Sequence, residues 1–241
     1  MIGTSHVPLG ELYLIPNLLG ETPVDTSLPP LIASLVSKIS HFVVEEEKSA
    51  RRFIKQLCPD RVIRDLSLST LNEHTKSSDI DVLLSPLREG HAVGVISEAG
   101  CPGIADPGAE LVRRAHESGI RVHPLVGPCS MTLALMASGF NGQRWRFLGY
   151  LPIDPTQRKE SIRAMERELY ASNETQIVMD TPYRNQRLLV DLLDACRPET
   201  LICIASALTT HEESIQVRSA RAWRDLPQNL PKMPALFLLG R

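Results

Sequence analysis

Aromatic residues make up only 5% of this 241-residue chain, too few to lay out the stacking platform on which single-stranded bases are held. An excess of either charge is also missing, since 26 Lys and Arg face 28 Asp and Glu, a formal net charge of -2. That balance excludes a free-standing basic nucleic-acid module, whose isoelectric point normally exceeds ~9. Long apolar runs are absent: the best of them, Ala235–Leu239, falls far short of the ~18 residues of a membrane-spanning helix. The first ten residues, Met1–Gly10, hold no Lys or Arg and no continuous apolar stretch, so no secretory leader is expected. The cysteines, Cys58, Cys101, Cys129, Cys196 and Cys203, are odd in number and scattered, with no C-x-x-C pair. They read as reduced thiols of a cytoplasmic protein, with neither a disulfide frame nor a zinc site.

Proline, by contrast, is in excess: 18 residues against the roughly 12 that an average usage of about 5% would give. Those prolines fall at the edges of predicted elements. The length leaves one large domain or two small ones open, at about 150 residues per domain.

Up to about Val126 short apolar runs alternate with helical spacing. Strands are expected at Leu12–Ile15, Phe42–Glu45, Val62–Asp65, Ala92–Ser97 and Val122–Val126. The clearest helix follows the fourth of these, with Asp106 as N-cap, Pro107 at the first helical position, Leu111, Val112 and Ala115 facing inward, and Gly119 ending it. This alternation predicts a parallel α/β sheet covered by helices on both faces. Beyond Gly139 the order changes. Strands are expected at Trp145–Leu151, Gln176–Asp180, Leu201–Leu208, Ser214–Arg218 and Ala235–Leu239, and helices at Gln157–Tyr170 and Arg184–Cys196. The cluster of Gly139, Asn141 and Gly142 suggests a boundary near Phe140–Arg146, giving a first domain 1–140 and a second 141–241.

The densest chemical signal is Ser97-Glu98-Ala99-Gly100-Cys101-Pro102-Gly103-Ile104-Ala105-Asp106-Pro107-Gly108, a strand running into a Gly/Pro-rich turn and a helix start. In doubly wound sheets ligands bind at that position, outside the carboxyl end of a strand. A well-made turn with a capped helix would look the same. A second small-residue turn, Gly127-Pro128-Cys129-Ser130-Met131, follows the next strand. There Ser130 could bind a ligand or cap a helix. The chain has no G-x-G-x-x-G, no Walker lysine motif, no nucleophile elbow around Ser97 and no histidine spacing suited to a metal.

Ser97–Gly108 resembles the "SDAGTPxxSDPG" segment of the tetrapyrrole-methylase superfamily, in its bacterial branch that methylates a ribose 2′-hydroxyl of small-subunit ribosomal RNA. Other landmarks follow in order. Leu12–Pro16 resembles the family's first strand and Gly127–Ser130 its "GPSA" turn. Phe147–Pro152 resembles "FxGFLP", Asp180–Arg184 "ESPHR" and Ala207–Glu213 "ELTKxHEE".

The resemblance spans nearly the whole chain. It implies two α/β domains, the first with a mostly parallel five-stranded sheet and the second with a mixed sheet, and S-adenosyl-L-methionine held folded in a cleft between them. Carried over residue by residue, it implies that Pro16, Cys101, Ile104, Ser130 and Met131 line the cofactor from one side and Met179, Leu208 and Pro234 from the other. It further implies a homodimer, and ribosomal RNA or the small ribosomal subunit as partner.

This chain departs from the branch where the acceptor would lie. "TPIGN" is replaced by Pro16–Glu21, "EDTRxT" by Glu45–Ala50, "SDAG" by Ser97–Gly100 and "HExN" by Asn72–Thr75. An alcohol acceptor must lose its proton, and a positioned base would help. The candidates are Glu98, Glu73 or His74, and His211 or Glu212. Basic residues cluster at Lys48, Arg51, Arg52, Lys55, Arg61 and Arg64, and again at Arg158, Lys159, Arg163 and Arg167. They fit either a solvated face or an RNA-facing rim. Three readings follow: a ribosomal RNA 2′-O-methyltransferase, a divergent paralogue acting on another acceptor such as a tetrapyrrole-like molecule, and a cofactor-binding interaction module.

Overall fold

The computed structural model of the chain describes residues 8–226 and 229–241, so most of the stretch read above for a leader lies outside the described residues. The chain forms two compact units that divide after Pro128.

The first unit runs β1 (Glu11–Ile15), α1 (Pro30–Val36), β2 (His41–Val44), α2 (Glu47–Leu57), β3 (Ser67–Thr70), α3 (Ser77–Leu83), α4 (Ser85–Arg88), β4 (Val93–Ile96), α5 (Gly108–Glu117) and β5 (Arg121–Pro124). Its strands are all parallel, in the order β3-β2-β4-β1-β5. Successive strand residues point to opposite faces, and each face builds its own core. Ile15, Phe42, Val44 and Ile96 pack with Ile32, Phe53 and Ile54 of α1 and α2. Leu12, Val43, Val93 and Val95 pack with Ile80, Leu87, Leu111 and Ala115 of α3, α4 and α5. The whole of β4 is buried, which is why its sequence is an unbroken apolar run. A Cβ on Gly94 would lie 2.5 Å from Ile15 Cδ1 and 2.9 Å from the Phe42 ring. Its missing side chain is therefore the space into which those two residues pack.

The third strand is not where the apolar pattern puts it. Val62–Asp65 contains a single 3-10 turn, Ile63–Asp65, and the strand is Ser67–Thr70. This strand lies at the sheet edge, paired only with β2, and contributes only Leu68 to a core. An edge strand of this kind needs no apolar run, so none marks it.

The second unit runs α6 (Ser130–Ser138), β6 (Trp145–Tyr150), α7 (Pro155–Ser172), β7 (Thr175–Asp180), α8 (Asn185–Ala195), β8 (Leu201–Ser206), β9 (Ser214–Ser219), α9 (Ala220–Arg224) and β10 (Ala235–Gly240). Its mixed sheet has the order β6-β7-β10-β8-β9, with β6 parallel to β7 and the other pairs antiparallel. Ile162, Leu169, Leu188, Leu192, Trp223 and Phe237 centre its core. Arg158 is buried there, donating Nε to Asp191 Oδ2 at 2.7 Å and Nη1 to the carbonyls of Pro152 and Ile153.

The expected boundary near 140 moves to the start of α6, because α6 packs on β9 and β10 of the second unit. Gly139 ends that helix with a left-handed φ of 72°, and the Phe140 ring lies 2.4 Å from where a Cβ on Gly240 would stand. The glycine cluster thus marks a helix end within a unit. Among the described residues no helix is long and apolar enough to cross a membrane.

Candidate active site

In the first unit the chain leaves β2 toward the edge strand β3 but leaves β4 in the other direction, toward β5. Such a reversal opens a crevice at the carboxyl ends of the strands. Three polar residues occupy those ends: Asn17 after β1, Glu45 after β2 and Glu98 after β4. Asn17 is buried and joins two of the strand ends. Its Nδ2 donates to the carbonyls of Ser97 (2.9 Å) and Glu98 (3.1 Å), its backbone N–H to Gly100 O (2.8 Å), and its Oδ1 accepts from Leu18 N–H (2.8 Å).

Glu98 is exposed but held from two directions. Its backbone N–H donates to Glu45 Oε1 at 3.1 Å, and its carboxylate Oε1 accepts from the Ser49 hydroxyl at 2.6 Å. Ser49 stands in the first turn of α2, where Glu46 caps the helix by accepting from the N–H groups of Lys48 and Ser49. The sequence Glu45-Glu46-Glu47 therefore supplies one carboxylate to the β4 turn, one helix cap and one first-turn acid, as the partial positive charge of a helix N-terminus favours.

A third carboxylate shapes the loop. Asp106 Oδ1 accepts from Gly103 N–H (2.8 Å) and Gly108 N–H (2.7 Å) and closes the turn. The helix starts one residue later than the sequence suggests: α5 begins at Gly108, and Pro107 rather than Asp106 stands at the cap position. Burial pushes the Asp106 carboxyl above its ordinary value against the pull of those two N–H groups. Glu45 is raised chiefly by burial as well, with the charges of Asp106 and Glu98 adding to it and the Glu98 N–H opposing. Within this loop Gly103 has a φ of 82° and open space where a Cβ would stand, while Ala105 holds a left-handed φ of 61°. An Ala held there is strained by sterics, as happens at ligand-binding turns.

Beside Glu98 lies a groove of about 600 Å³ between the chain segment 17–23 and α2, lined among others by Ser49, Arg52, Phe53 and Gln56. Gln56 Nε2 ties the walls together by donating to Thr22 O at 3.2 Å. Of the first unit's cofactor candidates, Pro16 follows β1 directly and Cys101 sits in the loop with its thiol against the carbonyls of Gly127 and Pro128. Ile104 is half exposed in the same loop.

The second unit gathers its own candidates. Since β10 is antiparallel to β7 and β8, its first residue Ala235 registers with both Asp180 and Ser206. That brings Met179, Leu208 and Pro234 to one end of the sheet, where Pro234 O accepts from Ala207 N–H at 3.0 Å. Leu208 is buried between Ala207 (φ 48°) and Thr209 (φ 69°), both left-handed. Thr209 Oγ1 is buried without a hydrogen-bond partner among the described residues. A buried hydroxyl of this kind at a left-handed turn has a donor and acceptor to offer. Met131 is buried, and Ser130 is the first residue inside α6 rather than its cap, a position held by Cys129.

Of the remaining base candidates, one pair lies in the first unit and the other in the second. Glu73 and His74 follow the edge strand β3, exposed and 3.6 Å from each other, with β2 lying between β3 and β4. His211 and Glu212 are exposed in the β8–β9 turn, which is held by Thr209 N–H to Glu213 Oε2 (2.8 Å) and Glu212 N–H to Thr210 Oγ1 (3.2 Å). Sequence reasoning missed Asn17, Glu45 and Ser49. Their one signal is a polar residue placed immediately after an apolar strand, or one helical turn beyond it.

The family model described as Tetrapyrrole (Corrin/Porphyrin) Methylases matches residues 35–222. Among curated proteins, the ribosomal RNA small subunit methyltransferase I of Vibrio cholerae is 28% identical over 220 residues, covering 90% of this chain and 72% of that protein. The protein of the same name from Escherichia coli is 29% identical over 226 residues, covering 92% and 75%. Among solved structures, the methyltransferase CobJ shares the fold with a TM-score of 0.64 and 20% identity, over 96% of this chain and 94% of that one.

Proposed function

Because this chain belongs to the tetrapyrrole methylase family, we propose that it is an S-adenosylmethionine-dependent methyltransferase acting on a ribose 2′-hydroxyl of small-subunit ribosomal RNA. The names of its relatives support the RNA acceptor. S-adenosylmethionine supplies a methyl group on a positively charged sulfur, already a good leaving group. What remains for the protein is to align the acceptor, exclude water and take up a proton.

The residues present fit such a cofactor. The loop around Gly103 offers backbone and open space, and the Thr209 hydroxyl has no partner among the described residues. Pro16, Cys101 and Ile104 of the first unit, with Ser130, Met131, Met179, Leu208 and Pro234 of the second, are the proposed contacts. A pair of identical chains is the assembly this reading carries, closed twofold dimers being the commonest oligomers.

The observation that carries the mechanism is the fixing of Glu98. Ser49 occupies Oε1 of its carboxylate, which orients the group and leaves Oε2 to accept the proton of an incoming hydroxyl. Glu98 is the proposed base. The test is transfer of an isotopically labelled methyl group to small ribosomal subunits from cells lacking this protein, followed by mapping of the labelled nucleotide. Label in a ribose supports the reading, and label in a base or none at all overturns it. Glu98→Ala should lower turnover far more than cofactor affinity. Equal losses in both would make Glu98 a residue of the turn alone.

A further inference from the structure

The basic residues of the first unit are not equivalent, and the structure sorts them. Arg61 is spent internally, its guanidinium donating to the carbonyls of Val36 and Ile39 at the end of α1. Arg51 pairs with Glu47 and reaches Ile63 O. Lys55 donates to Arg61 O, Arg64 lies 3.6 Å from Asp65, and Lys48 interacts with Glu46. Arg52 differs from all of these. It makes no hydrogen bond or ion pair among the described residues, and it lines the groove that begins at Glu98.

We infer that Arg52 is the anchor of a phosphate subsite: it holds an RNA phosphodiester neighbouring the sugar whose hydroxyl is presented to Glu98. This rests on the RNA reading above and deepens it. Ser49, Arg52 and Gln56 follow one another at i, i+3 and i+7, so they share a face of α2. At 1.5 Å of rise per residue, Arg52 stands about 4.5 Å along the axis from Ser49, the residue that fixes Glu98. One wall of the groove thus carries, in order, a serine on the proposed base, an unpaired guanidinium and an amide. A planar guanidinium with five donors and no acceptor is suited to a phosphate. Glu21, exposed on the opposite wall, is the other carboxylate lining the groove. It would repel a phosphate on its own side, leaving the α2 wall as the place for one.

The test uses the full chain, saturating cofactor and small ribosomal subunits from cells lacking the protein. For Arg52→Glu the KM for subunits should rise about tenfold or more, the scale of losing one charge-assisted contact, with kcat and cofactor affinity within twofold of wild type. For Arg52→Ala the slope of log binding constant against log salt should fall by about 0.7 to 0.9, one phosphate's share. Arg52→Lys should recover most of the affinity. If the unaltered protein methylates the subunits while Arg52→Glu keeps its KM and Arg52→Ala its salt slope, the phosphate subsite is overturned and the RNA reading stands. If the unaltered protein transfers nothing to subunits, both are overturned. If Arg52→Glu loses transfer only to a carboxylated tetrapyrrole, Arg52 serves that acceptor and the inference fails.

Discussion

The Ser49 hydroxyl donates to Glu98 Oε1 at 2.6 Å, joining the first turn of α2 to the turn that follows β4. Ser49 Oγ also lies 3.0 Å from Glu46 O, so its one proton is shared between a carbonyl of its own helix and the carboxylate across the crevice. Ser49→Ala leaves Glu98 chemically intact and removes only what orients it. Turnover should fall by about tenfold, within the hundredfold that a misplaced group can cost, while cofactor affinity stays constant. Turnover equal to wild type under single-turnover conditions would remove Ser49 from the mechanism.

Asn17 is the second test of the strand ends. Asn17→Ala deletes the donor to two carbonyls and the acceptor for Leu18 N–H at a buried position. The expected loss is about 2–3 kcal/mol, from buried groups left without partners. Urea unfolding reports it as a lower midpoint, and a change below about 0.5 kcal/mol would mean the turn closes without this side chain.

The Glu45 carboxyl gives a pH signature. Burial holds it above its ordinary value of 4.5, so the folded chain favours its protonated form. The stability this contributes is fully present below pH 4.5 and is lost as pH rises through the raised value. Glu45→Gln keeps an oxygen for the Glu98 N–H and removes the ionisation. Unfolding midpoints measured from pH 4 to 7 should therefore show the variant gaining on wild type as pH rises. Parallel profiles would show that Glu45 ionises as freely in the folded chain as in the unfolded one.

In the second unit Arg158 and Asp191 form a buried ion pair, joined at Asp191 Oδ2 by Arg187. Asp191→Ala strands a buried guanidinium and should cost about 3–5 kcal/mol, whereas Arg158→Met combined with Asp191→Leu should recover much of that loss. The two denaturation midpoints check this, and a double variant as unstable as the single one would place the cost in packing instead.

The sequence is most legible where burial is two-sided. The expected strand Ala92–Ser97 contains the buried strand Val93–Ile96, and Ser97–Gly108 is the expected turn into a helix, because apolar runs and Gly/Pro turns are local signals. The edge strand Ser67–Thr70 escaped because its one inward residue, Leu68, makes no pattern. The unit boundary was misplaced because α6 is apolar on every side, so its sequence does not say against which sheet it packs, and Gly139 looks like a linker while serving as a helix cap. In the candidate site Glu98 stood inside a recognisable segment. Its partners Glu45 and Ser49 lie about fifty residues earlier in the chain, and only the neighbouring positions of β2 and β4 bring them to it.

The place of β10 sets an order of events for the second unit. It lies between β7 and β8 and pairs with both along its length, so until Ala235–Gly240 arrives β7 and β8 have no strand joining them. Without β10 the remaining pairings of this sheet are two separate ladders, β6 with β7 and β8 with β9, each with an unpaired inner edge. Such edges invite pairing with other chains, and pairings between strands distant in sequence carry a loop-closure cost before they form. The same late strand begins at Pro234, beside Leu208 and Met179, so the proposed cofactor contacts of this unit come together only at the step that closes the sheet.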